Sequence, residues 1–231
     1  MKQDDRSQHK FCVIIPAFHE ESRIAAVVRA VREQGLDVVV IDDGSGDRTA
    51  AEAEAAGARV IVHPQNMGKG VALNTGFEYA REHGFHAVIT MDADGQHAPA
   101  EAPKFIEAYV RTGVPVLIGN RMADVENMPR IRLWTNRFMS WILSRVMGQY
   151  VPDTQCGYRL YRCDVLPFVS ALAERFAAES EVLLHIASRG IRMDSVRIST
   201  IYGDEKSKIN PFTDTFRFIS MILRYRRELR R

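Results

Sequence analysis

Short apolar runs alternate with longer amphipathic stretches through the first half of the chain. An uninterrupted short apolar run indicates a strand buried on both faces, and an amphipathic stretch indicates a helix. Strands that alternate with helices predict right-handed crossovers and a mainly parallel sheet. The predicted strands lie at 11–16, 38–41, 59–63, 88–91 and 115–119, and the predicted helices lie at 20–34, 47–56, 70–82 and 99–111.

The alternation becomes less regular after Arg121. No repeat, low-complexity tract or linker divides the chain, so the second half is expected to complete the same α/β unit. Its predicted elements are a helix at 131–147, a short strand at 158–162, a helix at 179–189 and a strand at 192–201.

Length and composition narrow the class of protein. The 231 residues suit one well-buried domain, and three cysteines without paired spacing argue for a reducing compartment and against a disulfide framework or a zinc site. The polar N-terminus is no signal peptide, and no stretch approaches the roughly 20 apolar residues of a membrane span. We expect a soluble or membrane-surface protein with a disordered tail at 1–10, a domain at 11–210 and a basic amphipathic helix at 211–231.

Polar clusters follow the predicted strands at the points where these strands end. They contain Glu20, the pair Asp42 and Asp43, the loop 66–70 and the segment 92–96. Because the carboxyl ends of parallel strands meet at one edge of a sheet, and ligands bind there in open α/β folds, we expect these clusters to converge.

Asp92 and Asp94 come directly after the fourth predicted strand. In extended chain, residues i and i+2 point to the same side, so the two carboxylates face one place and repel each other there. A hard divalent cation, Mg²⁺ or Mn²⁺, relieves that repulsion and leaves positions for phosphate oxygens. A solvated acidic turn is the alternative interpretation of an Asp-x-Asp sequence on its own.

Five motifs in order carry a family resemblance: 16–21 (PAFHEE), 42–45 (DDGS), 66–70 (NMGKG), 92–97 (DADGQH) and 153–159 (DTQCGYR). Over about 11–210 the chain resembles the family 2 glycosyltransferases of the GT-A fold, a Rossmann-like three-layer α/β sandwich with a mainly parallel central sheet. Within the family it is most similar to the dolichyl-phosphate or polyprenyl-phosphate hexose synthases. His19 and Phe18 depart from the Asn and Tyr that are common in the family at these positions.

The resemblance implies a role for each motif residue. The nucleotide-sugar-binding set is expected to be Pro16, Phe18, Glu20, Asp42, Asp43, Lys69, Asp92 and Ala93. The metal ligands are expected to be Asp92, Asp94 and Gln96, with Mg²⁺ or Mn²⁺ as the cofactor. Asp94 and the cationic groups Arg121, Arg159 and Lys208, near the donor and acceptor phosphates, form the expected catalytic set.

The implied reaction is an inverting transfer of a hexose, mannose or glucose, from a donor of the GDP-mannose or UDP-glucose type to a polyprenyl or dolichyl phosphate. A phosphate acceptor attacks with its own oxyanion, so no strong protein base is required. His97 is either a base for a hydroxyl acceptor or a hydrogen-bonded bystander. Transfer to a saccharide or other hydroxyl, and nucleotide-sugar binding without turnover, are the competing functions.

Two segments combine aromatic and basic residues in a pattern typical of proteins on anionic membranes. These are the helix at 131–147 and the terminal segment at 212–231. Packing against the domain is the alternative for both, and Glu179 with Glu181 is either an acidic pair near the acceptor or a solvated face. No nucleic-acid-binding fold accompanies the arginines. We therefore expect peripheral association with the cytoplasmic face of a membrane and no nucleic-acid partner.

Overall fold

The central sheet has seven strands in the order β3-β2-β1-β4-β6-β5-β7. A computed structural model of the protein describes residues 9–123, 130–173, 179–199 and 222. The strands are Phe11–Ala17 (β1), Asp37–Asp42 (β2), Arg59–Val62 (β3), Ala87–Thr90 (β4), Val116–Asn120 (β5), Arg159–Arg162 (β6) and Met193–Arg197 (β7).

The sheet is mainly parallel, as predicted, but β6 runs against both of its neighbours. The other pairs, β1 with β2 and β4, β2 with β3, and β5 with β7, are parallel. Thr90, at the end of β4, therefore pairs with Arg159, at the start of β6. This reversal brings the beginning of β6 to the edge of the sheet where the other strands end.

Helices cover both faces of the sheet. The first two crossovers run from β1 through β2 to β3, and the third returns from β3 to β4 in the opposite direction, so right-handed connections place the third helix on the other face. There, α3, α6, α7 and α5 contact one another in sequence. The helices are Ile24–Glu33 (α1), Thr49–Ala55 (α2), Lys69–Glu82 (α3), Ala102–Thr112 (α4), Arg130–Met147 (α5), Leu166–Ala173 (α6) and Glu179–Ser188 (α7).

The core forms where the sequence has its uninterrupted apolar runs. The side chains of β1, β2 and β4 are almost completely shielded from solvent, and the helices close over them. At Gly76, α3 approaches β1 so closely that an added Cβ would lie 2.5 Å from Ile14 Cγ2. The absence of a side chain at this position sets the distance between helix and sheet.

Two local features differ from the predicted pattern. Helix α1 begins at Ile24, so Glu20 and Glu21 precede it; Glu21 Oε2 instead accepts a hydrogen bond from Arg48 N at 3.0 Å. Helix α6 was not predicted, because its eight residues are too short and too uniformly apolar to show a helical period.

The ends of the chain are described only in part. His9 packs edge-on against His86, with 3.9 Å between the ring centroids, and Lys10 lies over Phe85, so these two residues of the predicted tail contact the domain. The remainder of that tail lies outside the described residues, as does the predicted helix at 211–231 apart from Ile222. Among the described helices, none has the length and apolar character required to cross a bilayer.

Candidate active site

A cavity of about 390 Å³ opens at the sheet edge where β1, β2 and β4 end. Its walls come from the turn after β1, the loop before α3 and the turn after β4, which the parallel strands deliver to one place. The predicted site residues that line it are Pro16, Phe18, Glu20, Asp43, Lys69, Asp92, Ala93 and Asp94.

Asp92 and Asp94 both line this cavity from the turn that follows β4. The strand ends at Thr90, so the carboxylates share a side because of the turn and not through alternation along extended chain. Asp92 Oδ1 lies 2.6 Å from Lys69 Nζ, and Asp94 Oδ1 accepts a hydrogen bond from Gln96 N at 2.9 Å. Burial raises the pKa of Asp92, but the Lys69 ammonium, together with the Arg121 guanidinium, brings that pKa below its ordinary value.

His97 supports the turn that carries the two aspartates. Its Nδ1 accepts a hydrogen bond from the backbone N–H of Asp92 at 3.1 Å, so this nitrogen carries no proton. The residue is 4% exposed and its ring stacks on Tyr158, with 5.0 Å between the centroids. Burial lowers the pKa of His97, which favours the neutral ring that this hydrogen bond requires.

Asp43 joins the end of β2 to the loop before α3. Its Oδ1 lies 2.7 Å from His63 Nδ1, and the carboxylate accepts hydrogen bonds from Met67 N at 3.0 Å and Gly68 N at 2.8 Å. Burial raises the pKa of Asp43, but these hydrogen bonds lower it below its ordinary value. The ionised side chain thus shapes one wall of the cavity.

The loop after β2 passes close beneath the loop before α3. Gly44 has φ of +75°, and an added Cβ would lie 2.4 Å from the carbonyl carbon of Gln65, so only glycine fits. Asp42 is 2% exposed and its Oδ1 accepts a hydrogen bond from Ser45 N at 3.1 Å. Asp42 therefore shapes this turn and is not among the residues that line the cavity.

The loop after β1 is anchored on the segment that leads into α2. His19 N donates to Ser45 Oγ and Glu20 N donates to Thr49 Oγ1, both at 2.9 Å. His19 has φ of 57°, the one positive φ among the described non-glycine residues. These contacts present Phe18 and Glu20 to the cavity, and Phe18 is 42% exposed.

A smaller cavity of about 110 Å³ adjoins the first, and Lys69 and Asp92 line both. Arg159 reaches it because β6 begins at this edge. The guanidinium donates to Cys156 O at 2.7 Å and to Thr154 O at 3.1 Å, and the residue is 2% exposed. Its apolar lining includes Leu73, Phe77, Met91, Val169 and Val182.

Arg121 forms a buried, bidentate ion pair with Asp153. Its Nε lies 2.7 Å from Asp153 Oδ2 and its Nη2 lies 2.9 Å from Oδ1. The two residues are 6% and 0% exposed. The pair holds the turn after β5 against the segment that leads into β6, and the Arg121 charge contributes to the lowered pKa of Asp92.

Other predicted residues have different positions. Lys208 and the side chain of Glu179 lie outside the described residues, whereas Glu181 is half-buried on α7. Gln96 contributes its backbone N–H to Asp94. Asn66 and Gly68, from the predicted polar loop 66–70, also line the cavity. Sequence reasoning missed His63, which holds Asp43. Its position immediately after β3, at the same edge of the sheet, was the available signal.

The carboxylate oxygens of Asp92 and Asp94 are suitable ligands for a hard divalent cation such as Mg²⁺ or Mn²⁺. Both carboxylates line one cavity, and the contact of Asp92 with the Lys69 ammonium shows that this carboxylate attracts positive charge. Within the described parts of the chain, no three His, Cys, Asp or Glu side chains group closely enough to hold a metal by themselves. A cation here would therefore complete its shell with neutral oxygens, water or diphosphate oxygens.

The family model for glycosyl transferase family 2 matches residues 12–168, which is more than half of the chain. The chain is a family 2 glycosyltransferase. Two similar proteins match more of the chain than the family model does. The UDP-N-acetylglucosamine–dolichyl-phosphate N-acetylglucosaminyltransferase of Methanococcus voltae is 32% identical over 215 residues, covering 83% of this transferase and 86% of the relative. The dolichyl-phosphate hexose transferase of Haloferax volcanii is 31% identical over 203 residues, covering 87% and 86%.

The fold of the transferase matches solved structures. The crystal structure of glucosyl-3-phosphoglycerate synthase from Mycobacterium tuberculosis with UDP superposes with a TM-score of 0.73 at 19% identity, covering 95% of this chain and 81% of that one. The same synthase with Mn²⁺, UDP-glucose and phosphoglyceric acid gives a TM-score of 0.70 at 18% identity, covering 95% and 80%. The predicted GT-A architecture is confirmed.

Proposed function

We propose that this family 2 glycosyltransferase moves a hexose, mannose or glucose, from a nucleotide diphospho-sugar to a polyprenyl or dolichyl phosphate at a membrane surface. The observation that carries the proposal is the cavity where Asp92, Asp94 and Lys69 meet, beside Arg159. It offers anionic groups for a cation and cationic groups for phosphates in one place. The names of the Methanococcus and Haloferax relatives, both of which act on dolichyl phosphate, support the lipid acceptor.

The residues that line the larger cavity suit the chemical groups of a nucleotide-sugar donor. Pro16 and Phe18 offer apolar surface to a nucleoside, and Glu20 and Asp43 offer acceptors to base or ribose hydrogens. Asp92 and Asp94 would hold Mg²⁺ or Mn²⁺ with Gln96, and the bound cation would neutralise charge on the leaving diphosphate. Lys69 places a second positive charge at the same wall.

The burial and hydrogen bonding of His97 favour a phosphate acceptor over a hydroxyl acceptor. A hydroxyl needs a base within hydrogen-bond reach to remove its proton. The buried His97 ring uses Nδ1 for the backbone of Asp92, so it is a support and not a base. An acceptor phosphate is already ionised and attacks the anomeric carbon directly, with inversion, while the diphosphate leaves from the opposite side.

The acceptor phosphate is expected beside Arg159 in the smaller cavity, next to the wall of Lys69 and Asp92 that both cavities share. The guanidinium is fixed by the carbonyls of Cys156 and Thr154, so it need not be ordered when a phosphate arrives. Arg121 adds positive potential while it remains bound to Asp153. Lys208 completes the proposed cationic set.

A lipid-extraction assay tests this function. The protein is incubated with polyprenyl phosphate in detergent, Mg²⁺ and one radiolabelled donor at a time: GDP-mannose, UDP-glucose or UDP-N-acetylglucosamine. We expect label in the organic phase with a hexose donor, loss of that label in Asp94→Ala, and retention in the matched control Asp194→Ala, on exposed β7 surface. Transfer only to a water-soluble acceptor, or nucleotide binding without transfer, would contradict the proposal.

A further inference from the structure

Helix α5 presents a second apolar face to solvent. Its inner face packs Met139, Leu143 and Met147 into the core. Its outer face carries an aromatic stripe at helical spacing, which continues into the following loop. The exposed members are Ile131 (70%), Trp134 (70%), Phe138 (53%), Trp141 (56%) and Tyr150 (81%). A contiguous exposed apolar surface of this kind marks an interaction site.

A groove of about 730 Å³ runs beside this stripe, between α5, the loop 148–152 and the ends of β5 and β7. Arg137, Arg145 and Arg197 line it, and all three are exposed. The Arg145 guanidinium lies 5.4 Å from the ring centroid of Trp141, which belongs to both stripe and groove. None of the three arginines forms an ion pair with a described Asp or Glu side chain.

We propose that this groove binds the phosphate headgroups of anionic phospholipids while the aromatic stripe of α5 enters the bilayer interface. Arginines beside Trp and Phe rings match the layered polarity of that interface, where phosphates lie above the first acyl carbons. The inference rests on the proposed function for its biological setting, since a lipid-linked acceptor lies in a membrane. It does not depend on which sugar is moved.

Other occupants fit the surface less well. A symmetric contact with a second copy would bring the same arginines face to face, which like-charge repulsion opposes. Free inorganic phosphate would leave the aromatic stripe in water. Single-stranded nucleic acid could stack on the rings, but Ile131 and Phe138 offer no polar group to read a base.

Tryptophan fluorescence gives a local readout, because the chain has two tryptophans and both lie on this face. With vesicles of phosphatidylcholine containing phosphatidylglycerol, we expect emission to shift to shorter wavelength and brominated acyl chains to quench it. Phosphatidylcholine alone should give a much smaller change. A single-tryptophan variant, Trp134→Phe, assigns the change to Trp141 in the groove. Unchanged emission on anionic vesicles, or an equal shift with single-stranded RNA, would overturn the proposal.

Charge removal tests the groove itself by vesicle flotation of the full chain. Arg137→Gln, Arg145→Gln and Arg197→Gln together should weaken partition onto anionic vesicles on the order of a hundredfold, since each arginine at the surface contributes about fivefold. The control combines Arg29→Gln, Arg59→Gln and Arg111→Gln, which removes the same charge from exposed positions elsewhere. An equal loss in both triple variants would show that net charge alone drives binding and would refute the groove.

The same variants separate this inference from the proposed function. In detergent, transfer to polyprenyl phosphate by the groove variant should equal that of the control, because no groove arginine lines the two active-site cavities. If neither protein transfers sugar but flotation still distinguishes them, the proposed function fails and the groove stands. If both transfer sugar and float equally, the groove fails and the function stands.

Discussion

Among single residues, the carboxylate of Asp43 organises the larger of the two active-site cavities. It is 3% exposed and holds His63 and two backbone N–H groups of the loop before α3. A buried carboxylate with three donors is stable only while it is ionised, and removal of its charge leaves those donors poorly paired. Cavity shape and protein stability therefore depend on the same side chain.

Asp43→Asn should lower the free energy of unfolding at pH 7 by about 2–4 kcal/mol, the range for a disrupted buried charge network. The folded pKa of Asp43 is below its unfolded value near 3.8. The stabilisation that ionised Asp43 gives the folded protein is therefore complete above the unfolded pKa and is lost as the pH falls towards the folded pKa. Urea unfolding should show the gap between the two proteins closing below pH about 4. Glu54→Gln, on the exposed side of α2, is the control; a gap that persists undiminished at pH 2.5 would contradict this role.

At the scale of elements, Gly76 sets the distance between α3 and β1. In an exposed helix Gly→Ala would stabilise by about 1 kcal/mol, but here the new Cβ meets the buried Ile14 at 2.5 Å. We expect Gly76→Ala to destabilise the protein by about 1–3 kcal/mol, as overpacked cores do. Gly46→Ala, whose Cβ would lie 3.8 Å from its nearest neighbour, is the control. Denaturant midpoints that are equal, or higher for Gly76→Ala, would refute the close contact.

The Arg121–Asp153 pair joins two further segments beside the site. Asp153→Asn should cost about 3–5 kcal/mol by leaving the guanidinium buried without its partner charge. The double variant Arg121→Met with Asp153→Leu should recover most of that stability, because neither charge remains. Transfer activity by the double variant should still fall about tenfold, since the proposed diphosphate site loses a neighbouring cation. Full activity would show that Arg121 acts only on the fold.

The pattern of apolar and polar residues predicted most helices and strands. The features that it missed are set by contacts between segments distant in the sequence. The central strands were recognisable because they are buried on both faces, as in 38–41. The reversal of β6 and the helix α6 depend on contacts with distant segments and leave no clear period in the sequence. The motifs identified most of the cavity lining. They could not show that Arg121 is paired with Asp153 or that Asp42 points into its own turn.

In the molecule as a whole, the proposed active site and the proposed membrane-binding groove occupy different surfaces of one α/β unit. The parallel strands bring Pro16, Asp43 and Asp92 to one edge, while α5 exposes its aromatic stripe beside the ends of β5 and β7. The antiparallel β6 lies between β4 and β5 and brings Arg159 to the same edge as the aspartates. This edge is where we propose that a soluble donor and a membrane-bound acceptor phosphate meet.

We propose that Asp92 and Asp94 hold a divalent cation against the donor diphosphate. Calorimetric titration of UDP and of GDP, each with and without Mn²⁺, tests it without turnover. For one of the nucleotides we predict at least about tenfold tighter binding with Mn²⁺, a difference of about 1.4 kcal/mol. Asp94→Asn should abolish that difference, whereas Asp194→Asn should retain it. The same Mn²⁺-dependent gain in Asp94→Asn, or no gain in the unaltered protein, would refute this role of the two aspartates.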